Sequence, residues 1–150
     1  AALDVPVATS SIMQVPFVER LLPPGKQVGI ITISAANLTA EHLKGVGVDP
    51  ETPCVGTESG RHFSRAILND EAELDIEASR LDLLDVGNSL LTQHEDIGAI
   101  VLECTNMVPY AADLRRKFGL PVYSIYTLLT WFQNGLLPRR FQPELDDTRL

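Results

Sequence analysis

The residues whose types and spacing best suit chemistry are Cys104, Thr105 and Asn106, which follow the apolar run Ile97-Gly98-Ala99-Ile100-Val101-Leu102 and the acid Glu103. A cysteine placed after a buried strand and at the entrance of a helix meets backbone amides that stabilise a thiolate. Such a thiolate can remove a proton from the carbon beside a carboxylate, while Thr105 and Asn106 offer a hydroxyl, an amide and backbone N–H groups to hold that carboxylate. The plainer alternatives are a buried structural thiol for Cys104 and turn formation or capping for its two neighbours. Two further polar groups have the same form, Thr9-Ser10-Ser11 and Ser34-Ala35-Ala36-Asn37. Taken singly, Ser10, Ser11 and Asn37 read as caps and turns. Their repetition at strand ends favours function, because ligands of open α/β sheets collect beyond the carboxyl ends of the strands.

The remaining candidates are weaker. Cys54 lies among Pro and Gly residues, where a structural free thiol is the preferred reading. Glu58, in Gly56-Thr57-Glu58-Ser59-Gly60, is an acid that could orient a base or simply be solvated, and His62 could exchange a proton near neutrality. Histidines at 42, 62 and 94 are scattered without ligand spacing, so a metal site is not expected. Gly45-Val46-Gly47 lacks the context of a dinucleotide loop, and neither a Walker lysine motif nor a Gly-x-Ser-x-Gly elbow occurs. Trp131, Phe132, Tyr123 and Tyr126 read as core or interface around the last helix.

These residues need strands and helices to present them. Leu3 to Thr9 reads as a β-prone run giving a first strand over Val5–Ala8, and Ile12 to Leu22 as a helix capped by Ser10 or Ser11 and stopped by Pro23-Pro24-Gly25. Val28-Gly29-Ile30-Ile31-Thr32-Ile33 has the continuous apolarity of a covered parallel strand. A short helix over 38–44 and a short strand at Cys54-Val55 follow. Leu74, Ala78, Leu81, Leu84 and Leu91 recur on one face and predict a long helix from about Asp70 to Gln93, with Glu71, Glu73, Asp75 and Glu77 crowding its first turns. Then come a strand over 97–103, a helix over 109–118 closed by Gly119, a strand over 120–123 and a last helix through Trp131-Phe132. This alternation predicts an α/β fold with a mainly parallel sheet and flanking helices. The tail after Gly135, with its acidic run Glu144 to Asp147, reads as peripheral.

Composition narrows the function classes. A formal charge of -8 and a pI near 4.7 oppose non-specific binding of nucleic acid or anionic membrane. No apolar stretch approaches the roughly 20 residues of a membrane span, and the start has no signal-peptide pattern, so a cytoplasmic setting with free thiols is the expectation.

The segment Ile100-Val101-Leu102-Glu103-Cys104-Thr105-Asn106-Met107-Val108-Pro109-Tyr110 resembles the second cysteine segment of the aspartate/glutamate/hydantoin racemase superfamily, and the likeness in order of units extends over most of the chain. The resemblance implies two similar α/β lobes around a cleft, no cofactor, and one cysteine on each lobe exchanging protons at opposite faces of an acidic carbon. By position Cys104 matches the second-lobe cysteine and Thr105 with Asn106 the substrate contacts. Ser34 and Asn37 match the neighbouring recognition loop, Thr9 and Ser10 the polar end of the strand closing the first half, and Gly56-Thr57-Glu58 the acid-bearing loop. Glu103 or His62 would act behind them, Glu103 by orienting Thr105 or His62 or by raising the thiol's pKa. On this view residues 1–26 are the carboxyl end of the first lobe and crossover, 27–124 the second lobe, and 125–150 a terminal helix and tail. The first-lobe cysteine should lie upstream of Thr9, so the chain is expected to be the C-terminal part of a longer protein, inactive alone and prone to self-association through the surface that the missing lobe would cover. Cys54 does not fit as the partner thiol. The implied function is racemisation of aspartate, glutamate or a hydantoin, with a homo-oligomer left open. The alternatives are single-cysteine chemistry like that of maleate isomerase or arylmalonate decarboxylase, and a carboxylate-binding domain without catalysis.

Overall fold

The computed structural model describes residues 4–139. Its centre is a four-stranded parallel sheet in the order β2-β1-β3-β4, formed by β1 (Gln27–Thr32), β2 (Cys54–Gly56), β3 (Ile97–Leu102) and β4 (Val122–Tyr123). The two inner strands are fully covered, which is why their sequences are apolar at nearly every position rather than alternating. The chain is therefore α/β, with helices packed on both faces of a parallel sheet.

One face carries α3 (Phe63–Leu68), α4 (Ile76–Gln93) and α5 (Ala111–Phe118). There Ile31, Ile100 and Leu102 meet Phe63, Leu83, Leu90, Met107 and Leu114 in one core. Each fully buried leucine of this layer stabilises the fold by roughly 1.5–3 kcal/mol, which is what holds α4 in place. The other face carries a 3-10 turn (Ser11–Gln14), α1 (Val15–Glu19) and α2 (Ala40–Gly45), whose Ile12, Val15, Val18 and Leu43 cover Val28, Ile30, Ala99 and Val101. A register irregularity between Gln27 and Val28 sends Ile97 and Ala99, two residues apart, into opposite layers. The last helix, α6 (Ile125–Leu136), begins at Ser124, whose N–H donates to Thr127 Oγ1 at 3.0 Å.

Several expectations need correction. Val5–Ala8 forms no strand: no neighbouring strand offers it a ladder of amides and carbonyls, and Val5 and Val7 are exposed. The helix expected from about Asp70 to Gln93 is α4, which starts six residues later at Ile76, and a separate helix not expected from the sequence, α3, precedes it over Phe63–Leu68. The chain leaves α3 through Asp70, whose φ of 51° is left-handed and incompatible with helix continuation, and α4 starts only after Asp75, which caps it by accepting from the Ala78 N–H at 2.9 Å. Glu71 and Glu73 thus lie in the connection, and α3 was hidden because its short apolar pattern has no capping side chain. The helix expected from Ile12 to Leu22 is shorter and begins as a 3-10 turn, and the one expected from Pro109 is preceded by a 3-10 turn over Thr105–Tyr110. Gly119 closes α5 with φ of 72°, as expected of a left-handed cap. The acidic run at 144–147 lies outside the described residues. Among the described residues no helix is long and apolar enough to cross a membrane.

Candidate active site

The registers bring the carboxyl ends of all four strands to one edge: Ile31 lies beside both Val55 and Leu102, and Val101 beside Tyr123. From β1 the chain crosses outward to β2 on one side, while β3 lies on the other. The boundary between β1 and β3 is thus the topological switch point, where departing loops splay and leave a crevice.

Glu103 and Cys104 enter this edge as β3 ends. The Glu103 N–H still donates to Ile31 O at 2.8 Å, which continues the ladder one residue past the strand. Its carboxylate accepts from Thr32 Oγ1 at 2.9 Å, tying the ends of β1 and β3 together across the crevice. Ser11 is buried and donates to Leu102 O at 2.6 Å, so the 3-10 turn that carries Ser10 is anchored to the same strand end. Ser10 caps that turn by accepting from the Ile12 N–H at 3.4 Å. Gln14 extends the anchoring, donating to Ser124 O at 3.0 Å and accepting from Thr127 Oγ1 at 2.7 Å.

A cavity of about 410 Å³ opens here, lined on its polar side by Ser10, Thr32, Ser34, Asn37, His42 and Glu103. Four expected site residues, Ser10, Ser34, Asn37 and Glu103, are therefore brought together. Thr32 and His42 were not anticipated. Thr32 is found only through strand register, and His42 only through the folding of α2 back toward the sheet, where its Nδ1 lies 3.2 Å from the Thr39 amide. Cys104, Thr105, Asn106 and Thr9 do not line the cavity; Thr9 is exposed, with its hydroxyl 3.4 Å from the Met13 sulfur.

Glu58 reaches the same edge from the loop after β2. Part of its carboxylate is shielded from water, which works upward on its pKa. Hydrogen bonds from its own amide, the Ser34 hydroxyl and the amides of Ala36 and Ala35 outweigh that and hold it below the usual carboxylate range. The approach is close: a side chain at Gly56 would strike the Glu58 carboxylate and lie 2.6 Å from the Ala35 amide nitrogen. The same loop is stitched down by Thr57, which shares a 2.7 Å hydrogen bond with Ser64 while its amide donates to Thr32 O at 3.0 Å. His62 does not join the cavity. Its Nε2 accepts from the Asp75 N–H at 2.9 Å and its Nδ1 lies 3.2 Å from an Arg65 nitrogen, so its ring fastens the start of α4.

Cys104 is half-buried at the head of the 3-10 turn, with Thr105 and Asn106 exposed beside it. Burial pushes its thiol up and the Glu103 charge adds to this, whereas a hydrogen bond from the Asn106 amide works in the thiolate's favour. The arrangement gives a thiol with an amide donor already aimed at its sulfur, next to exposed donors that a small anion can reach. Cys54 is a different kind of thiol. It pairs in register with Ile30 and packs against the α1–α2 layer, and burial first, then the charges of Glu103 and Glu58, push it up to about 11. Both cysteines are free, and among the described residues no three His, Cys, Asp or Glu side chains gather as a metal site.

Comparison with known proteins adds two findings. The chain is similar to a dimethylsulfoniopropionate lyase from Durusdinium sp. clade D, with 28% identity over 138 residues covering 88% of this chain and 45% of that protein. It is also similar to dimethylsulfoniopropionate lyase 7 from Emiliania huxleyi, with 26% identity covering 89% of this chain and 42% of the relative. The chain thus spans less than half the length of these curated relatives. Among solved structures its fold is like that of allantoin racemase from Pseudomonas fluorescens, with a TM-score of 0.57 and 14% identity, covering 84% of this chain and 51% of the other. No protein-family model matches the chain.

Proposed function

We propose that Cys104 is the base of a cofactor-independent lyase that removes the proton beside the carboxylate of dimethylsulfoniopropionate and expels the sulfur from the neighbouring carbon. The likeness to the lyases carries this reading, and the placement of Cys104 at the carboxyl end of β3 supports it. The Cys104 thiolate takes the proton from the carbon next to the carboxylate. The released electron pair becomes the carbon–carbon double bond, and the bond to the sulfonium sulfur breaks with its electrons, giving dimethyl sulfide and acrylate. The thiol then returns its proton to solvent. The Thr105 hydroxyl and the Asn106 side-chain amide, both on exposed residues, are suited to the carboxylate, on which negative charge grows as the proton leaves, while the Asn106 backbone amide serves the thiolate. One cysteine suffices for this sequence, in contrast to the two needed for racemisation.

The two-lobed arrangement, with the described sheet forming one wall of a cleft and the rest of the protein the other, belongs to this proposal. A closed cleft would exclude water from the developing carbanion. The fold likeness to allantoin racemase supports a second reading with the same first step. A substrate without a leaving group would then be reprotonated by a cysteine of the other lobe, which makes the protein an amino-acid or hydantoin racemase. The fate of the carbanion separates the two. Intact gene product is given dimethylsulfoniopropionate with headspace detection of dimethyl sulfide, beside solvent-deuterium exchange on aspartate, glutamate, allantoin and other hydantoins. Dimethyl sulfide release that Cys104→Ser abolishes is expected. Its absence, together with Cys104-dependent exchange that links two enantiomers, would overturn the lyase assignment in favour of racemisation.

A further inference from the structure

Two segments of the chain repeat one another. Pro6-Val7-Ala8 leads into a 3-10 turn capped by Ser10, and Pro121-Val122-Tyr123 leads into α6 behind Ser124. Counted from those serines, Ile12, Val15, Val18 and Leu22 correspond to Tyr126, Leu129, Phe132 and Leu136. The first set covers a sheet: Ile12, Val15 and Val18 are buried on Val28, Ile30, Ala99 and Val101, with Leu22 packed beside them. The second set has no sheet beneath it among the described residues. Tyr126 is 67% exposed, Leu129 46% and Leu136 55%, and of the 12 residues of α6 only Leu128 is buried. The strand parts are reversed: Val122 and Tyr123 form β4, whereas Val5 and Val7 lie exposed. No residue of α6 is charged, and a helix that is apolar over most of its surface belongs inside a protein.

The two segments also meet as equivalents. A groove of about 290 Å³ between them is lined by Met13, Gln14 and Phe17 from one and by Thr127, Leu128 and Trp131 from the other, the same three positions of each copy. Contact of like with like is the mark of a two-fold relation. A two-fold that sets α1 on this sheet sets α6 on another, across the groove. We infer that α6 and Val5–Ala8 are the docking surface for a second parallel sheet, which Val5–Ala8 joins as an edge strand in the role of β4 and which α6 covers as α1 covers the first. The two halves thus exchange helices. The inference rests on the two-lobed reading above and adds which surface docks and how. The occupant is the part of the polypeptide by which the relatives are longer, since they run to more than twice the matched length. Pro6 lines one cavity with Trp131, Phe132 and Leu136, so the unpaired strand segment and the uncovered helix lie on one surface. A second copy of the described residues does not fit there, because both faces of its sheet already carry helices.

The test is hydroxyl-radical footprinting of the intact gene product, read residue by residue by mass spectrometry, with amide hydrogen exchange beside it. Burial of Tyr126 from 67% exposure to the roughly 5% of a core residue predicts labelling about tenfold slower than that exposure allows, calibrated on the exposed Leu68 and Ile76 in the same sample. Leu129 and Leu136 should be protected with it. An edge strand bonds through alternate residues, so the amide of either Val7 or Ala8 should exchange slowly. Labelling of Tyr126 at the reference level, or exchange of both amides at the rate of an unfolded chain, overturns the inference. Protection that vanishes on dilution, in step with dissociation of a dimer, gives the face to a second copy and overturns it too. Leu129→Asp, at the position matching buried Val15, should open the face, so that Tyr126 labels at the reference level while Tyr110 in the first core stays protected. Unchanged protection of Tyr126 in that variant refutes the docking, and if the variant does not fold the wild-type footprint decides. Failure of the lyase reading is seen separately: no dimethyl sulfide forms, while the protection of Tyr126 and Leu129 persists.

Discussion

Replacing Asp82 tests how the loop beside the site is held. Asp82 projects from α4, is 2% exposed, and accepts from the backbone N–H groups of Arg61, His62 and Phe63 at 2.9, 2.7 and 2.8 Å. Those amides open α3, directly after the loop that carries Thr57 and Glu58 to the cavity edge. Burial alone would raise the Asp82 pKa, but the Arg61, Phe63 and His62 amides and the His62 ring outweigh it and hold the carboxyl below its usual range. Hydrogen bonds to a charged group contribute about 1.5–3 kcal/mol each, and an orphaned buried donor costs about 1–3 kcal/mol. Asp82→Asn keeps one acceptor but turns an NH2 toward a backbone N–H, so a loss of about 2–4 kcal/mol is expected, and about 3–5 kcal/mol for Asp82→Ala. Against a total stability of about 5–15 kcal/mol this is a large fraction. Urea unfolding followed by far-ultraviolet circular dichroism reads it directly. With a slope of about 1–3 kcal/mol per molar, the midpoint for Asp82→Asn should fall by about 1 M or more at pH 7. The sign with pH follows from the lowered pKa: the contribution is complete above the unfolded value of about 3.9 and is lost as pH falls through the folded value. The gap between wild type and Asp82→Asn should therefore be constant from about pH 7 to 5 and close below about pH 4. A midpoint shift under about 0.5 M at pH 7, or a gap unchanged at pH 3, would refute the clamp.

Other outcomes follow from the same geometry. Cys104→Ser should lower kcat on dimethylsulfoniopropionate by at least about a hundredfold while leaving the circular dichroism spectrum intact; near-normal turnover would remove Cys104 from the mechanism. Cys54→Ala should keep activity, and iodoacetamide should label Cys54 slowly, its rate climbing with pH toward the pKa of about 11; fast labelling at pH 7 would contradict its burial. Gly56→Ala should raise KM without unfolding the sheet, since its methyl group displaces Glu58 and the Ala35 amide that position the cavity loop; unchanged kinetics would show that this loop is not part of the site. Ser11→Ala removes the 2.6 Å bond to Leu102 O and should cost about 1–3 kcal/mol in chemical denaturation; a change under about 0.3 kcal/mol would show that this tether is dispensable.

Local composition alone determined the main strands, because inner parallel strands are apolar on both sides: Val28 to Ile33 and Ile97 to Leu102 have no other stable place than the middle of a covered sheet. It also exposed the left-handed stop at Gly119 and the polar residues at the strand ends, since both are properties of a few neighbouring residues. The presence of α3 and the later start of α4 were not legible. Asp70 is of a type that tolerates the left-handed region, but the acids after it suit a helix start equally well. Tertiary structure also decided which end groups meet. Thr32 and Glu103 share a face and a hydrogen bond only because β1 and β3 pair in a particular register, which is set by interactions across 71 residues of sequence separation. Ser11 reaches Leu102 across 91 residues for the same kind of reason, and His62, promising as an isolated histidine, is drawn away to Asp75. Apolar periodicity encodes burial, a local preference; the choice of polar partners depends on which strand ends the packed layers bring to one edge.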